Sequence, residues 1–165
     1  MNILFLLLSA LLIAVDYFIK LWAQNVLQPM GPKEIIPNVL SLVYHENFGA
    51  AWGIMQGKRG LLLIVTSLMI GIFIFFLISG RVKNWLARTS ISLIIAGGIG
   101  NLIDRAFNEG GFVVDYIYFE PINFPIFNFA DCCIVVGTIL LMIYIIFIEE
   151  KGAKKRKKDI PWPLR

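Results

Sequence analysis

The chain has 165 residues and a formal net charge of +4, and 58% of its residues are hydrophobic. Its mean hydropathy is +0.78, whereas soluble globular domains contain only about 45–50% apolar residues. This composition excludes an ordinary soluble domain and indicates an integral membrane protein.

Four apolar stretches are long enough to cross a bilayer, since about 20 helical residues span its hydrocarbon core. The predicted spans are about 3–22, 61–79, 86–105 and 129–148. The first could be mistaken for a secretory signal, but no Lys or Arg precedes it and no small-residue cleavage motif follows it. We predict one four-helix domain over residues 1–150, with connecting loops 23–60 and 106–128, and a basic tail over residues 151–165.

The distribution of Lys and Arg predicts how the spans are oriented. Arg81, Lys83 and Arg88 follow span two, and the tail after span four is strongly basic. Four spans place both segments on one side, which the positive-inside rule identifies as the cytoplasm. We therefore expect both termini in the cytoplasm. A basic tail beside a membrane favours anionic lipid, and nucleic acid is not an expected partner.

Charged and amide side chains lie near the outward ends of three of the four spans, and a charge inside hydrocarbon costs a few kcal/mol or more. These residues are Asp16 and Lys20 in span one, Asn101, Asp104 and Arg105 in span three, and Asp131 in span four. Loop 106–128 returns Asp115 and Asn128 to the same surface. The shared depth predicts a single polar site near the outer leaflet.

The long outer loop, 23–60, alternates apolar and polar residues around 34–36 and 40–44, which favours short strands. The stretch after it, 47–53, is rich in small residues that permit close backbone approach, and Trp52 suits the bilayer interface. The predicted fold is an all-α integral membrane protein, a four-transmembrane-helix bundle with a small extracytoplasmic β-sheet.

The charged residues in spans one and three also have ordinary structural explanations. Asp16 and Lys20 are four residues apart on a helix and could simply neutralise each other. Asp104 and Arg105 are adjacent and cannot face one another, but each could pair with another helix. Neither explanation accounts for the common depth of the two groups.

The acidic residues near span four have similar alternatives. Asn128-x-x-Asp131 could be a helix N-cap with an acidic residue in the first turn. Asp115 could be an ordinary loop carboxylate. Two carboxyl groups held about 3 Å apart cannot both ionise easily and share a proton. Such a pair can hydrolyse a peptide by acid–base catalysis without a covalent intermediate.

Two further hypotheses are a small proton-coupled transporter and a non-enzymatic scaffold. Intramembrane Asp and Lys residues also occur in transporters. However, the sequence has no internal repeat, and the acidic and amide residues of the spans are confined to their outward ends, whereas a conducting path would require such residues in the opposite halves as well. A scaffold leaves the shared depth of the carboxylates unexplained.

Five short blocks, in this order, resemble the lipoprotein signal peptidases, also called type II signal peptidases. The blocks are Asp16-Tyr17-Phe18-Ile19-Lys20, Asn47-Phe48-Gly49-Ala50-Ala51-Trp52-Gly53, Gly98-Ile99-Gly100-Asn101-Leu102-Ile103-Asp104-Arg105, Val113-Val114-Asp115-Tyr116 and Phe127-Asn128-Phe129-Ala130-Asp131. Trp52 and Tyr116 stand where Phe is common in the family, and both keep an aromatic ring.

The resemblance implies an aspartic endopeptidase of the bacterial inner membrane that cleaves diacylglyceryl-modified prolipoproteins just before the lipid-bearing cysteine. It implies Asp115 and Asp131 as the catalytic pair, Asn47, Arg105, Asn101 and Asn128 as substrate-binding or supporting residues, and Asp16, Lys20 and Asp104 as structural polar positions. No metal or cofactor is implied. Expected partners are the lipidated substrate, membrane lipid and the cyclic peptide globomycin, and a monomer is expected. The family also implies a sheet from loop 23–60 and a mobile helix from loop 106–128, both over the site.

Overall fold

The computed structural model describes residues 2–49 and 54–149. Trp52 and the basic tail over residues 151–165, both singled out in the sequence, lie outside the described residues. Within the described part, four helices are long and apolar enough to cross a membrane: Ile3–Met30, Arg59–Ile78, Trp85–Phe107 and Phe129–Ile148. We label them α1 (Asn2–Trp22, continuing through Ala23–Leu27 and Gln28–Met30), α2 (Arg59–Ile78), α3 (Trp85–Phe107) and α4 (Phe129–Ile143, continuing through Tyr144–Glu149).

The first helix extends beyond the predicted end at residue 22. Its 28 residues correspond to about 42 Å at 1.5 Å per residue, which exceeds a hydrocarbon core of about 30 Å. In this extension Ala23 and Leu27 are buried against Val114 and Tyr116. The end of α1 therefore supports the structure outside the bundle.

A small antiparallel sheet covers this end of the bundle. In the described residues its strands are β1 (Lys33–Ile36), β2 (Leu40–Asn47) and β3 (Val113–Phe119), in the order β1-β2-β3. The turn between β1 and β2 is closed by the Val39 N–H, which donates to Ile36 O at 3.0 Å. Asn38 adopts φ +57° after Pro37, the residue order that a type II turn favours.

The central helix of the bundle is α3. In its most apolar window 61% of the residues are buried, compared with 11% in α2 and in α4. Helices approach closely in membranes where their contact residues are small. A Cβ on Gly137 of α4 would lie 2.8 Å from Ser90 O and 2.9 Å from Leu93 Cβ. This glycine therefore allows α4 to pack against the first half of α3.

The prediction of a helix in loop 106–128 is wrong. Residues 113–119 form β3, and the flanking residues form short 3₁₀ turns at Glu109–Gly111 and Glu120–Ile122. The run Val-Val-Asp-Tyr-Ile-Tyr-Phe is β-branched and aromatic, which favours a strand.

The prediction of four transmembrane helices with a small sheet is confirmed, and the two outer loops both contribute strands.

Candidate active site

Asp115 lies in β3 and is almost completely buried, with 1% of its surface exposed. Its Oδ1 accepts a hydrogen bond from Asn128 Nδ2 at 2.7 Å, and its Oδ2 accepts one from Asn47 Nδ2 at 2.9 Å. Asn47 is the last residue of β2, which pairs with β3 and places His45 opposite Asp115. Because alternate residues share a face of a strand, the pairing brings the Asn47 amide to this carboxylate.

Asp131 is the third residue of α4 and is half-buried. Its Oδ2 accepts from the backbone N–H of Asn128 at 3.1 Å, and its own N–H donates to Asn128 Oδ1 at 2.9 Å. This reciprocal pair is a capping box, so the structural explanation considered for these two residues is present. The other oxygen, Oδ1, accepts from Asn101 Nδ2 at 2.8 Å. The cap thus fixes a carboxylate that still faces another helix.

Asn128 connects the two carboxyl groups. It is fully buried, its side-chain amide donates to Asp115, and its backbone N–H donates to Asp131. The phenol of Tyr116 accepts from the Phe129 N–H at 3.1 Å and joins β3 to the start of α4. One asparagine and one strand-to-helix contact therefore hold the pair together.

Burial and the negative charge of Asp131 raise the pKa of Asp115 to about 7. Hydrogen bonds from Asn47 and Asn128 and the charge of Lys20 act in the opposite direction. A buried carboxyl next to another carboxyl retains a proton more readily than an exposed one. Asp115 can therefore carry a proton near neutral pH.

Lys20 lies behind the pair and is 3% exposed. Its Nζ lies 2.9 Å from Asp16 Oδ2, so the predicted helical pair is present, and 3.0 Å from Asp104 Oδ2. It also donates to Asn101 Oδ1 at 3.0 Å. The three contacts match the three donors of a lysine ammonium.

The two acids that bind Lys20 also reach the backbone beside the pair. Asp16 Oδ1 accepts from the Ala130 N–H at 3.0 Å, one residue before Asp131. Asp104 Oδ2 accepts from the Val114 N–H at 3.0 Å, one residue before Asp115. The polar residues of α1 and α3 are therefore linked to the site through main-chain contacts.

Arg105 is buried near the end of α3, with 8% of its surface exposed. Its Nη2 donates to Gly49 O at 2.8 Å, and its Nη1 donates to Asn101 O at 3.3 Å. Its Nε has no hydrogen-bond partner among residues 2–49 and 54–149. Asn47 Oδ1 accepts from the Gly49 N–H at 2.9 Å. Arg105 and Asn47 thus hold the start of the segment that follows β2.

A pocket of about 950 Å³ opens beside the pair. Its polar lining includes Asn47, Asn101, Arg105, Asp115 and Asp131. An apolar wall is formed by residues 124–127 before α4 and residues 134–136 within α4.

The sequence analysis missed this apolar wall, although an apolar run directly before Asn128 could have indicated it. It also missed His45, Gln56 and Tyr118, which line the pocket and had no recognisable sequence signal.

Comparisons with known proteins identify the family. The sequence profile of signal peptidase (SPase) II matches residues 8–147. A lipoprotein signal peptidase of Clostridium acetobutylicum is 43% identical over 149 residues, which cover 88% of this chain and 96% of that protein. One of Enterococcus faecalis is 40% identical over 157 residues, covering 94% of each chain.

Solved structures agree with this assignment. A bacterial membrane enzyme superposes with a TM-score of 0.82 at 31% identity and covers 95% of this chain and 94% of its own. A second bacterial membrane enzyme gives 0.77 at 33% identity, covering 87% and 93%. The transporter and scaffold hypotheses are wrong, because the profile and the relatives are peptidases. This multi-pass membrane protein belongs to the signal peptidase II family, a family of proteases.

Proposed function

We propose that Asp115 and Asp131 are the catalytic pair of this peptidase and that it cleaves diacylglyceryl-modified prolipoproteins just before the lipid-bearing cysteine. Family membership makes prolipoproteins the substrate class. The observation that supports the catalytic pair is Asn128, which donates to both carboxyl groups at the base of the pocket.

In the proposed reaction the two carboxyl groups have different roles. The raised pKa of Asp115 makes it the protonated partner, and Asp131 is the ionised base. Water attacks the scissile carbonyl carbon and gives a proton to Asp131, while Asp115 gives its proton to the carbonyl oxygen. The resulting diol returns a proton to Asp115, and the C–N bond breaks as the leaving nitrogen takes the proton from Asp131. Both groups are restored without a covalent enzyme intermediate.

The pocket supports a lipidated substrate. Its polar base accommodates the peptide around the scissile bond, and the apolar wall near Val135 and Val136 continues onto the exposed face of α4, where these residues are 55% and 48% exposed. An acyl chain lying along this face would hold the peptide bond at the depth of the carboxylates. Binding energy from the remote lipid then positions the reacting bond.

The predicted substrate-binding residues have intramolecular partners in this structure. Asn47 and Arg105 hold Gly49, and Asn101 and Asn128 hold the carboxylates. In the proposal Asn47 and Arg105 also contact the peptide backbone or the lipidated region, since both line the pocket. The unpartnered Nε of Arg105 leaves one donor free of contacts among the described residues.

The proposed location is the bacterial cytoplasmic membrane, with both termini in the cytoplasm and the pair near the outer leaflet. Arg81, Lys83 and Arg88 at the opposite end of the bundle support this orientation. Membrane lipid and globomycin-type inhibitors are the further proposed partners, the inhibitors occupying the substrate pocket. The proposed oligomeric state is a monomer.

The test compares two synthetic prolipoprotein peptides that differ only in the diacylglyceryl group on the cysteine. Purified enzyme in detergent should cleave the lipidated peptide before the cysteine, as identified by mass spectrometry. The unmodified peptide should be cleaved at least about a hundredfold more slowly, because it lacks the remote binding energy. Equal cleavage of the two peptides would contradict the proposed substrate.

A further inference from the structure

Lys20 has a contact that neutralisation of its neighbours does not require. In addition to Asp16 and Asp104, its Nζ binds the side-chain oxygen of Asn101 at 3.0 Å. The same oxygen accepts from Asn128 Nδ2 at 3.1 Å. A lysine ammonium can only donate hydrogen bonds, so the oxygen of the Asn101 amide must face Lys20. The amide nitrogen is thereby turned toward Asp131, to which it donates at 2.8 Å.

We propose that Lys20 is a positioning residue for the reaction: by binding the Asn101 oxygen it fixes which end of that amide meets Asp131, and so keeps Asp131 the ionised member of the pair. The proposal rests on the proposed catalytic pair and deepens it. If the amide rotated by half a turn, its oxygen would face the Asp131 carboxylate and would repel the ionised form.

The buried location of Lys20 stabilises this orientation of the Asn101 side-chain amide. Lys20 and Asn101 lie on different helices, are 3% and 7% exposed, and are held by contacts from α1, α3 and the residue before α4. In such a water-poor site, partners in a hydrogen-bond chain reinforce one another. Removal of Lys20 would leave the Asn101 oxygen with the Asn128 amide, whose nitrogen also donates to Asp115 Oδ1 and Val114 O, so the orientation of the Asn101 amide would be held less firmly.

The alternative is that Lys20 only stabilises the fold by neutralising two buried acids. A double-mutant cycle separates the two roles. If Lys20 acts through Asn101, Lys20→Met and Asn101→Ala should each lower kcat about 30-fold. The double variant should then be at most about twofold worse than the worse single variant, because the residues act as one unit. KM should stay within about threefold in each case.

A stability control is available in the same pair of helices. Ser9 Oγ donates to Ser92 O at 3.0 Å and links α1 to α3 far from the carboxylates. Ser9→Ala should lower the melting temperature while kcat stays within about twofold of wild type. If the kcat loss of the double variant equals the product of the two single losses, the two residues act independently and the positioning role is overturned. Wild-type kcat in Lys20→Met would overturn it as well.

The pH profile gives a second readout. In Asp16→Asn/Lys20→Met a cation and an anion are removed together, so the formal charge of the cluster does not change. The charged or titratable groups that remain around it are Asp104 and Arg105 on α3, Asp131 and Cys133 on α4, Asp115 and Tyr116 on β3, and Tyr44 on β2. The acidic limb of kcat should move upward, because the catalytic pair loses the Asn101 N–H donor that its carboxylate accepts. A purely structural role would leave the limb unmoved.

Failure of the Lys20 role can be distinguished from failure of the proposed catalytic pair. If Asp115→Asn and Asp131→Asn cleave normally, the catalytic pair itself is wrong. If both are inactive while the cycle is multiplicative, only the role of Lys20 is wrong. Should neither Lys20→Met nor Asp16→Asn/Lys20→Met fold while Ser9→Ala does, Lys20 is structural and the inference is overturned.

Discussion

The two ends of the same helices differ in how they handle polar groups. At the end away from the sheet, Ser9, Ser90 and Ser92 donate to backbone carbonyls, beside an apolar cluster that includes Leu77 and Ile91. At the sheet end, charged and amide side chains bind one another across three helices and two strands. These hydroxyls bind carbonyls of their own or one neighbouring helix, whereas the buried charges at the sheet end have partners from several elements. The sheet end therefore contains the candidate active site, and the far end contributes mainly apolar packing between the helices.

The largest expected effect comes from removing either acid at the sheet end. Asp115→Asn or Asp131→Asn should lower kcat by at least about 10³-fold, because the pair acts as a unit. Both variants should still fold, since an amide retains the shape of the carboxyl, but their melting temperatures should be lower, because the new NH2 group faces a donor that a carboxylate oxygen had accepted. Cleavage of the lipidated peptide and thermal unfolding are the measurements. Substantial turnover by either variant would refute the catalytic assignment.

The pH dependence should be the next largest effect. Asp115 must be protonated to act as the acid, and its pKa is raised to about 7. Activity should therefore fall as pH rises through this value, by about tenfold for each further unit. The rate of cleavage across buffers of equal ionic strength measures this limb. A rate that stays constant well above pH 7 would be inconsistent with Asp115 as the acid.

A change at the edge of the polar network should have a smaller effect. Arg105→Lys should lower cleavage and globomycin binding at least about tenfold, or ~1.4 kcal/mol, because lysine lacks the planar fork whose two Nη atoms donate to Gly49 O and Asn101 O. Arg59→Lys is the matched control, since the hydrogen bonds of Arg59 within residues 2–49 and 54–149 go to the Arg105 and Ala106 carbonyls at the end of α3. Activity should stay near wild type in this control. Equal losses in both variants would assign Arg105 to helix stability.

At the far end a mutation should change stability without changing the chemistry. Gly137→Ala places a Cβ against Ser90 O, Leu93 and Ile94, which should cost about 1–3 kcal/mol of stability. The folded fraction should keep the wild-type kcat and pH profile. An altered pH limb in Gly137→Ala would show that the two ends are not separable.

The smallest expected effect is that of a chelator. Among residues 2–49 and 54–149, no group of three or more His, Cys, Asp and Glu is arranged to hold a metal ion. A metal-free reaction remains a prediction, and excess EDTA should leave the cleavage rate within experimental error. Inhibition that added metal reverses would contradict it.

The sequence was sufficient to predict the helices and the polar end. Apolar length predicts the spans, and the alternating direction of the spans places Asp16, Asn101 and Asp131 at one depth. The ordered blocks predict the family. These inferences depend on local composition and on one topological rule, so a single sequence is enough for them.

The remaining features depend on contacts between distant parts of the chain. The pairing of β2 with β3, which brings Asn47 to Asp115, is a long-range register. The sequence places Lys20 four residues after Asp16 but does not reveal its bond to Asn101. The sequence places Arg105 at the outward end of span three but does not reveal its bond to Gly49 O. The strand in loop 106–128 was mistaken for a helix although its β-branched and aromatic composition was visible.

The most direct test of a proton-sharing pair is the infrared carboxyl C=O band in the wild-type enzyme minus that in Asp115→Asn, followed across pH. The difference spectrum should contain the C=O band of the protonated Asp115 carboxyl at low pH. This band should disappear as pH rises, with a midpoint near the raised pKa of Asp115, about 7. Asp131→Asn should lower that midpoint, because the neighbouring negative charge is removed. A difference band that titrates near the ordinary value of about 4 for an aspartic acid, or that is unchanged in Asp131→Asn, would contradict the shared proton.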